Sequence, residues 1–197
     1  MNKKQLLILG LSLLILLVIG ILMSKKVHLN PLYEVGQKID SLDGVYVYYN
    51  GGVGNVNGRR VTKDGYNLGL KYQCVEFVKR YYYEELHHKM PDSYGHAKDF
   101  FNPRVKDASI NKQRDLIQYT NTSISKPKIK DLIIYSGTLF NTYGHVAIIS
   151  KVTENKVEII QQNPGSFGTS RETYTLKKVD GKWHIDNQRI LGWLRKP

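Results

Sequence analysis

Cys74 is the single cysteine of the chain, and its neighbours decide whether it packs or reacts. From Gln73 to Leu86 there is no Gly or Pro, and Val75, Val78, Tyr82 and Leu86 recur at helical spacing, which predicts an amphipathic helix. Asn67-Leu68-Gly69 and the Gly-rich stretch upstream are turn material, so Cys74 falls in the first helical turn. Free backbone N–H groups and the positive end of the helix dipole stabilise an anion there, and a cysteine so placed is expected to lean toward thiolate. A lone cysteine is more often a small buried apolar side chain; the position at a helix start brings the nucleophile reading level with that one. A thiolate nucleophile then needs a histidine to carry its proton and a polar group to orient the histidine.

Six histidines are available. His28 sits in an N-terminal tether. His87 and His88 end the cysteine helix, where solvated imidazoles suit the dipole. His184 alternates with Trp183 and Ile185 and is expected to face solvent, and His96 is a weaker choice in a loop or short helix. His145 follows Tyr143-Gly144 and opens Val146-Ala147-Ile148-Ile149, at the mouth of a strand apolar on both faces; the alternative is a histidine that merely ends a core strand. With a three-residue turn after Thr153, hairpin pairing sets Asn163 opposite His145 and Gln161 opposite Ala147. Glu158, the nearby carboxylate on that strand, falls opposite Ser150, roughly 17 Å away along the strand. The orienter is therefore expected to be an amide, which accepts the imidazole N–H but supplies no charge.

The elements that must hold these residues alternate in type along the chain. Val45 to Tyr49 reads as a first strand and Asn50 to Asn55 as a turn cluster. Those glycines lack the Gly-Lys-Ser/Thr of a phosphate loop. After the cysteine helix, His96 to Phe101 reads as a short helix stopped by Asn102-Pro103, and Ser109 to Ser125 has no clear period. Asp131 to Tyr135, Gly144 to Val152, Lys156 to Gln162, Arg171 to Lys177, Lys182 to Ile185 and Arg189 to Leu194 read as strands, with a hairpin at Asp180-Gly181. A helix-rich half followed by an antiparallel sheet is an α+β pattern.

Ahead of this lies Leu6 to Met23, 18 residues without a charge. As a helix they extend about 27 Å against a hydrocarbon core of roughly 30 Å. No small-residue cleavage pattern precedes Lys25-Lys26. The expected organisation is a membrane anchor over 1–26 with the span about 6–23, a tether over 27–43 and a catalytic domain over 44–197. Lys3 and Lys4 balance Lys25 and Lys26, so the positive-inside rule is nearly silent. The chain's amine tips it toward an inside N-terminus and an extracytoplasmic domain. The net charge is +12, or about +8 without those four lysines, which favours anionic partners such as wall polymers or lipid headgroups. The lysines are scattered rather than clustered with aromatics and no nucleic-acid motif is present, so a nucleic-acid partner is not expected, and neither is a cofactor or a metal.

Gln73-Cys74-Val75-Glu76-Phe77, Gly144-His145-Val146-Ala147-Ile148-Ile149 and Gln161-Gln162-Asn163, in this order, resemble the CHAP family of cysteine- and histidine-dependent amidohydrolases and peptidases, over about Gly44 to Lys196. Tyr72 to Arg80 and Ile190-Leu191-Gly192-Trp193-Leu194-Arg195 look most like its glutathionylspermidine amidase branch. The resemblance implies a papain-like fold with the cysteine helix packed on an antiparallel sheet. It implies Cys74 as nucleophile, His145 as general base, then acid, and Asn163 as a matching site residue. Gln161 stands where the family commonly has Glu. The Cys74 N–H is the expected oxyanion donor, and Asp131 is expected to be structural. The implied substrate is a peptidoglycan peptide or, if the domain faces the cytoplasm, a glutathione–polyamine amide. A wall-binding module that has lost activity is the rival, for which the missing carboxylate speaks.

Overall fold

The computed structural model describes residues 2–24, 29–139 and 141–197; the expectations placed on Lys25, Lys26 and His28 lie outside the described residues. Helix α1 (Lys3–Ser24) is apolar along its length, and its side chains over 3–20 pack against nothing. It is long and apolar enough to cross a membrane, a property that signal sequences share.

The rest is a mixed structure of one helix on a large antiparallel sheet. Strands β1 (Lys38–Leu42) and β2 (Val45–Tyr48) form a hairpin, as do β3 (Arg59–Val61) and β4 (Asn67–Leu70). Helix α2 (Cys74–Glu84) follows, then a 3₁₀ turn (Ala97–Phe100). Eight strands complete the chain: β5 (Ser109–Asn111), β6 (Leu116–Thr120), β7 (Leu132–Tyr135), β8 (His145–Val152), β9 (Lys156–Ile160), β10 (Arg171–Val179), β11 (Lys182–Ile185) and β12 (Ile190–Arg195). They form one sheet in the order β11-β10-β9-β8-β7-β12-β6-β5, each neighbouring pair antiparallel.

The two-residue period of the strands sorts the core into two layers. Leu132, Ile134, Val146, Ile148, Ile160 and Leu194 face α2, where they meet Phe77, Val78, Tyr81 and Tyr82. Ile133, Tyr135, Ala147, Ile149, Ile159 and Trp193 build the opposite face with Leu176 and Ile185. The run Val146-Ala147-Ile148-Ile149 is apolar at every position because both of its faces are covered.

Several expectations change. Strand β1 lies within the expected tether, because Lys38–Leu42 pairs with β2 and Asp40 carries a salt bridge from Arg171. The unassigned stretch 109–125 holds β5 and β6, and Asn67-Leu68-Gly69, expected as turn material, lies in β4 paired with β3; all four strands are short, so few residues carry their period. His88 is buried, not solvated, with its Nε2 2.9 Å from the Arg114 carbonyl oxygen. His184, expected to face solvent, is half-buried against the Asn121 carbonyl. Helix α2 is buried on its polar side as well as its apolar one, since Glu76, Lys79 and Arg80 all lie inside. Asp131 is held by Arg195 through two oxygens, at 2.9 and 2.7 Å.

Candidate active site

The turn before α2 delivers Cys74. Tyr72 takes a left-handed conformation (φ 65°) and Gln73 an extended one, so the chain reverses abruptly and the helix begins at the cysteine itself. Its sulfur meets the backbone N–H groups of Cys74, Val75 and Val146. The last of these is available because β9 stops pairing at Ile160, opposite Ile148. Beyond that point residues 161–163 no longer pair with β8, and the start of α2 fills the gap beside its first residues.

Gln162 and Asn163 fasten the helix start there. Gln162 donates to the Gln73 carbonyl oxygen (3.0 Å) and to Glu76 Oε2 (2.9 Å) while its own oxygen accepts the Tyr48 N–H (2.8 Å). Asn163, itself left-handed (φ 58°), donates to Gln73 Oε1 (2.7 Å) and to the Val53 carbonyl oxygen (2.9 Å). Gln73 in turn donates to the Asn55 carbonyl oxygen at 2.7 Å. Register places Asn163 across from His145, but its amide bonds the loop and Gln73, not the imidazole. Residues past a strand end do not keep the strand's facing.

His145 opens β8 behind Gly144, whose positive φ (75°) lies where a Cβ would come within 2.5 Å of the Tyr135 carbonyl oxygen. Its Nε2 lies 2.9 Å from Gln161 Oε1. The amide orientation follows from its other side: Gln161 Nε2 donates to the Thr169 carbonyl oxygen (3.1 Å) and faces Glu172 Oε2 (3.5 Å), both of which can only accept. Oxygen must therefore face the ring, Nε2 carries the imidazole proton, and Nδ1 is left as the basic nitrogen.

The register that brings Gln161 to the histidine arises from two compensating steps. The β8–β9 turn is one residue tighter than expected, pairing Val152 with Val157 and Lys151 with Glu158, and a bulge at Ser150 then restores Ile149 opposite Ile159. Glu158 is occupied elsewhere, accepting from Ser150 Oγ (2.7 Å) and Arg171 Nη1 (2.9 Å).

The electrostatics depart from the thiolate expectation. Burial pushes the Cys74 thiol up to about 11, outweighing the three N–H groups that favour its anion. Burial also pushes the His145 imidazole down to about 4; the Gln161 hydrogen bond opposes this, Arg189 adds to it and Glu172 opposes it. Both groups therefore rest neutral. Beside the ring lies a cavity of about 200 Å³, bounded among others by Tyr135, Asn141, Glu172, Tyr174 and Arg189. Among the described residues no group of three or more His, Cys, Asp or Glu side chains is placed to hold a metal ion.

Sequence reasoning did not find the buried carboxylate that braces this arrangement. Glu76 is fully buried, 2.6 Å from Arg80 Nε and 3.0 Å from Arg60 Nη1, and takes the Gln162 amide as its third partner. The i,i+4 spacing of Glu76 and Arg80 was legible; that it is buried was not.

The chain is 34% identical over 152 residues to the trypanothione synthetase of Crithidia fasciculata, covering 72% of this chain and 23% of that protein. It is 32% identical over 143 residues to the bifunctional glutathionylspermidine synthetase/amidase of Escherichia coli (strain K12), covering 64% and 22%. The chain thus spans under a quarter of the length of these relatives. A solved structure, that of Ly7917, shares 24% identity over 39% of this chain and 30% of its own, with a TM-score of 0.28, an overlap too small to speak to the fold. The CHAP domain model matches residues 63–163, a span that contains Cys74, His145, Gln161 and Asn163, and the chain belongs to this family of cysteine-dependent amidases and peptidases.

Proposed function

We propose that the chain is a membrane-anchored thiol amidohydrolase of papain-like fold that cleaves an amide in peptidoglycan peptides through an acyl-enzyme on Cys74. The observation that carries the chemistry is the 2.9 Å bond between His145 Nε2 and Gln161 Oε1, which fixes the tautomer whose Nδ1 can take a proton. As Cys74 Sγ attacks the carbonyl carbon, the thiol proton passes to Nδ1 and an S–C bond forms. The oxyanion draws on the backbone N–H at the helix start. The imidazolium then protonates the amine as the C–N bond breaks. Water, deprotonated by the same nitrogen, hydrolyses the thioester and returns the thiol. Gln161 positions the ring; Asn163 belongs to the site by holding Gln73 and the 53–55 loop against the nucleophile.

The extracytoplasmic placement rests on α1 as a membrane span and on the basic charge of the rest of the chain, which suits anionic wall polymers. In this reading residues 1–26 anchor the chain, 27–43 link it and 44–197 carry catalysis, with β1 contributing to the folded part. A second reading is favoured by similarity to the Escherichia coli glutathionylspermidine synthetase/amidase: hydrolysis of a glutathione–polyamine amide by a cytoplasm-facing domain. Full-length protein in detergent, assayed in parallel on purified peptidoglycan and on glutathionylspermidine, tests the two. New amino termini released from peptidoglycan, lost in Cys74→Ala, are the expected result. Turnover of glutathionylspermidine alone would replace the first reading with the second, and turnover of neither would favour an inactive wall-binding module.

A further inference from the structure

Gln161 leaves the proposed imidazolium without the carboxylate that commonly stands at its position in this family, but a carboxylate is present one side chain further out. Glu172, on β10, directs Oε2 at the Gln161 amide nitrogen (3.5 Å) and accepts the Tyr174 hydroxyl on the same oxygen (2.6 Å). Glu172 reaches this place through strand pairing: β10 runs beside β9, with Arg171 opposite Ile160 and Glu172 opposite Ile159. The Gln161 N–H to the Ser170 carbonyl oxygen continues that pairing. His145, Gln161, Glu172 and Tyr174 all border the same cavity.

We propose that Glu172 is a positioning residue for this reaction, holding the Gln161 amide with its oxygen toward His145 and placing a negative charge behind the imidazolium that forms during attack. The inference rests on the reading of His145 as the base. It also gives a physical reason for an amide at position 161, since a carboxylate there would stand against Glu172 as a like-charge neighbour within hydrogen-bonding distance. Charge and hydrogen bonding are thus divided between two residues, with Gln161 transmitting one and supplying the other.

The groups facing the imidazole from its surroundings are few. Arg189, ahead of β12, opposes its protonation and Glu172 favours it; the Tyr135 ring lies tilted beside it, with ring centroids 5.7 Å apart; Tyr174 lines the β10 side of the cavity. Cys74 lies at the start of α2, its sulfur beside the backbone N–H of Val146, the residue after His145. Of these, Glu172 is the carboxylate. Its exposure to solvent means that its influence is partial and salt-sensitive.

The test uses full-length protein in detergent, with iodoacetamide as the probe of Cys74 and ring-labelled histidine to follow the His145 titration by NMR. Glu172→Gln keeps an acceptor for both Gln161 and Tyr174 and removes only the charge. It should lower the His145 pKa by roughly half a unit or more and slow both alkylation at pH 7 and turnover by about 3- to 30-fold. The double variant Glu172→Gln with Gln161→Glu returns a carboxylate to the ring and should recover most of both rates, whereas a merely structural role for Glu172 would not be rescued by a charge at position 161. Tyr174→Phe, which leaves the charge in place, should shift the His145 pKa less than Glu172→Gln does. Unchanged His145 titration in Glu172→Gln, or no recovery in the double variant, overturns the proposal. His145→Ala separates the two levels: if it leaves turnover intact, the base has been misassigned, while a dead His145→Ala beside an unaffected Glu172→Gln removes Glu172 alone.

Discussion

His145 and Gln161 are joined by a single 2.9 Å contact between Nε2 and Oε1, and the two acceptors on the far side of the amide leave only one way to protonate the ring. This determines which nitrogen is basic without invoking a charge. Gln161→Ala should lower turnover by about 10- to 1,000-fold, or about 1.4 to 4 kcal/mol, without changing the melting temperature by more than a few degrees. A variant with normal kcat would show that the tautomer is fixed by something else.

Gln161→Glu reports on the resting charge state. The parent imidazole is held down to about 4, so it serves as a base over most of the pH range. An adjoining carboxylate raises its pKa, and the acid limb of kcat/KM should therefore move to higher pH than in the parent. A limb that moves down, or stays put, contradicts the neutral base.

The thiol prediction reverses what its helix-start position suggests. Because burial takes Cys74 up to about 11, the midpoint of haloacetamide labelling against pH should lie above the roughly 8.5 of a free thiol in the unliganded protein. Cys74→Ala should remove labelling and turnover while retaining the fold. A midpoint below the free-thiol value would restore the resting ion pair.

The same two groups shape stability against pH. The His145 pKa is depressed in the folded state, so its contribution is present above the unfolded value of about 6.5 and is lost as pH falls toward 4. The Cys74 pKa is raised, so its contribution is present below about 8.5 and is lost as pH rises toward 11. Denaturant titrations should accordingly show that His145→Gln flattens the acid side of the stability profile and Cys74→Ala the alkaline side.

Glu76→Ala should be among the costliest changes, at roughly 3–5 kcal/mol, because it strands the buried Arg80 guanidinium without its carboxylate. Urea unfolding would measure it, and a loss below about 1 kcal/mol would mean that Arg80 finds another partner.

Much of this protein was legible in its sequence because local patterns carry local consequences. The absence of Gly and Pro after Gln73 marked α2, the doubly apolar run after Gly144 marked a central strand covered on both faces, and the positions of Cys74 and His145 at element starts, which the structure retains, singled them out as the candidate pair. The β8–β9 pairing also placed Gln161 beside the histidine, although the tighter turn and the Ser150 bulge that together produce that register leave no pattern in composition. Only the tertiary structure decided the rest. Asn163 turned from His145 to Gln73 because β9 ends before it. Cys74 and His145 rest neutral because desolvation, a property of what surrounds a group, outweighs the helix start and the amide. Glu76, Arg80 and Gln162 became one buried network because segments nearly ninety residues apart meet at the cysteine: spacing along a chain fixes which side chains share a face, and packing alone fixes what that face meets.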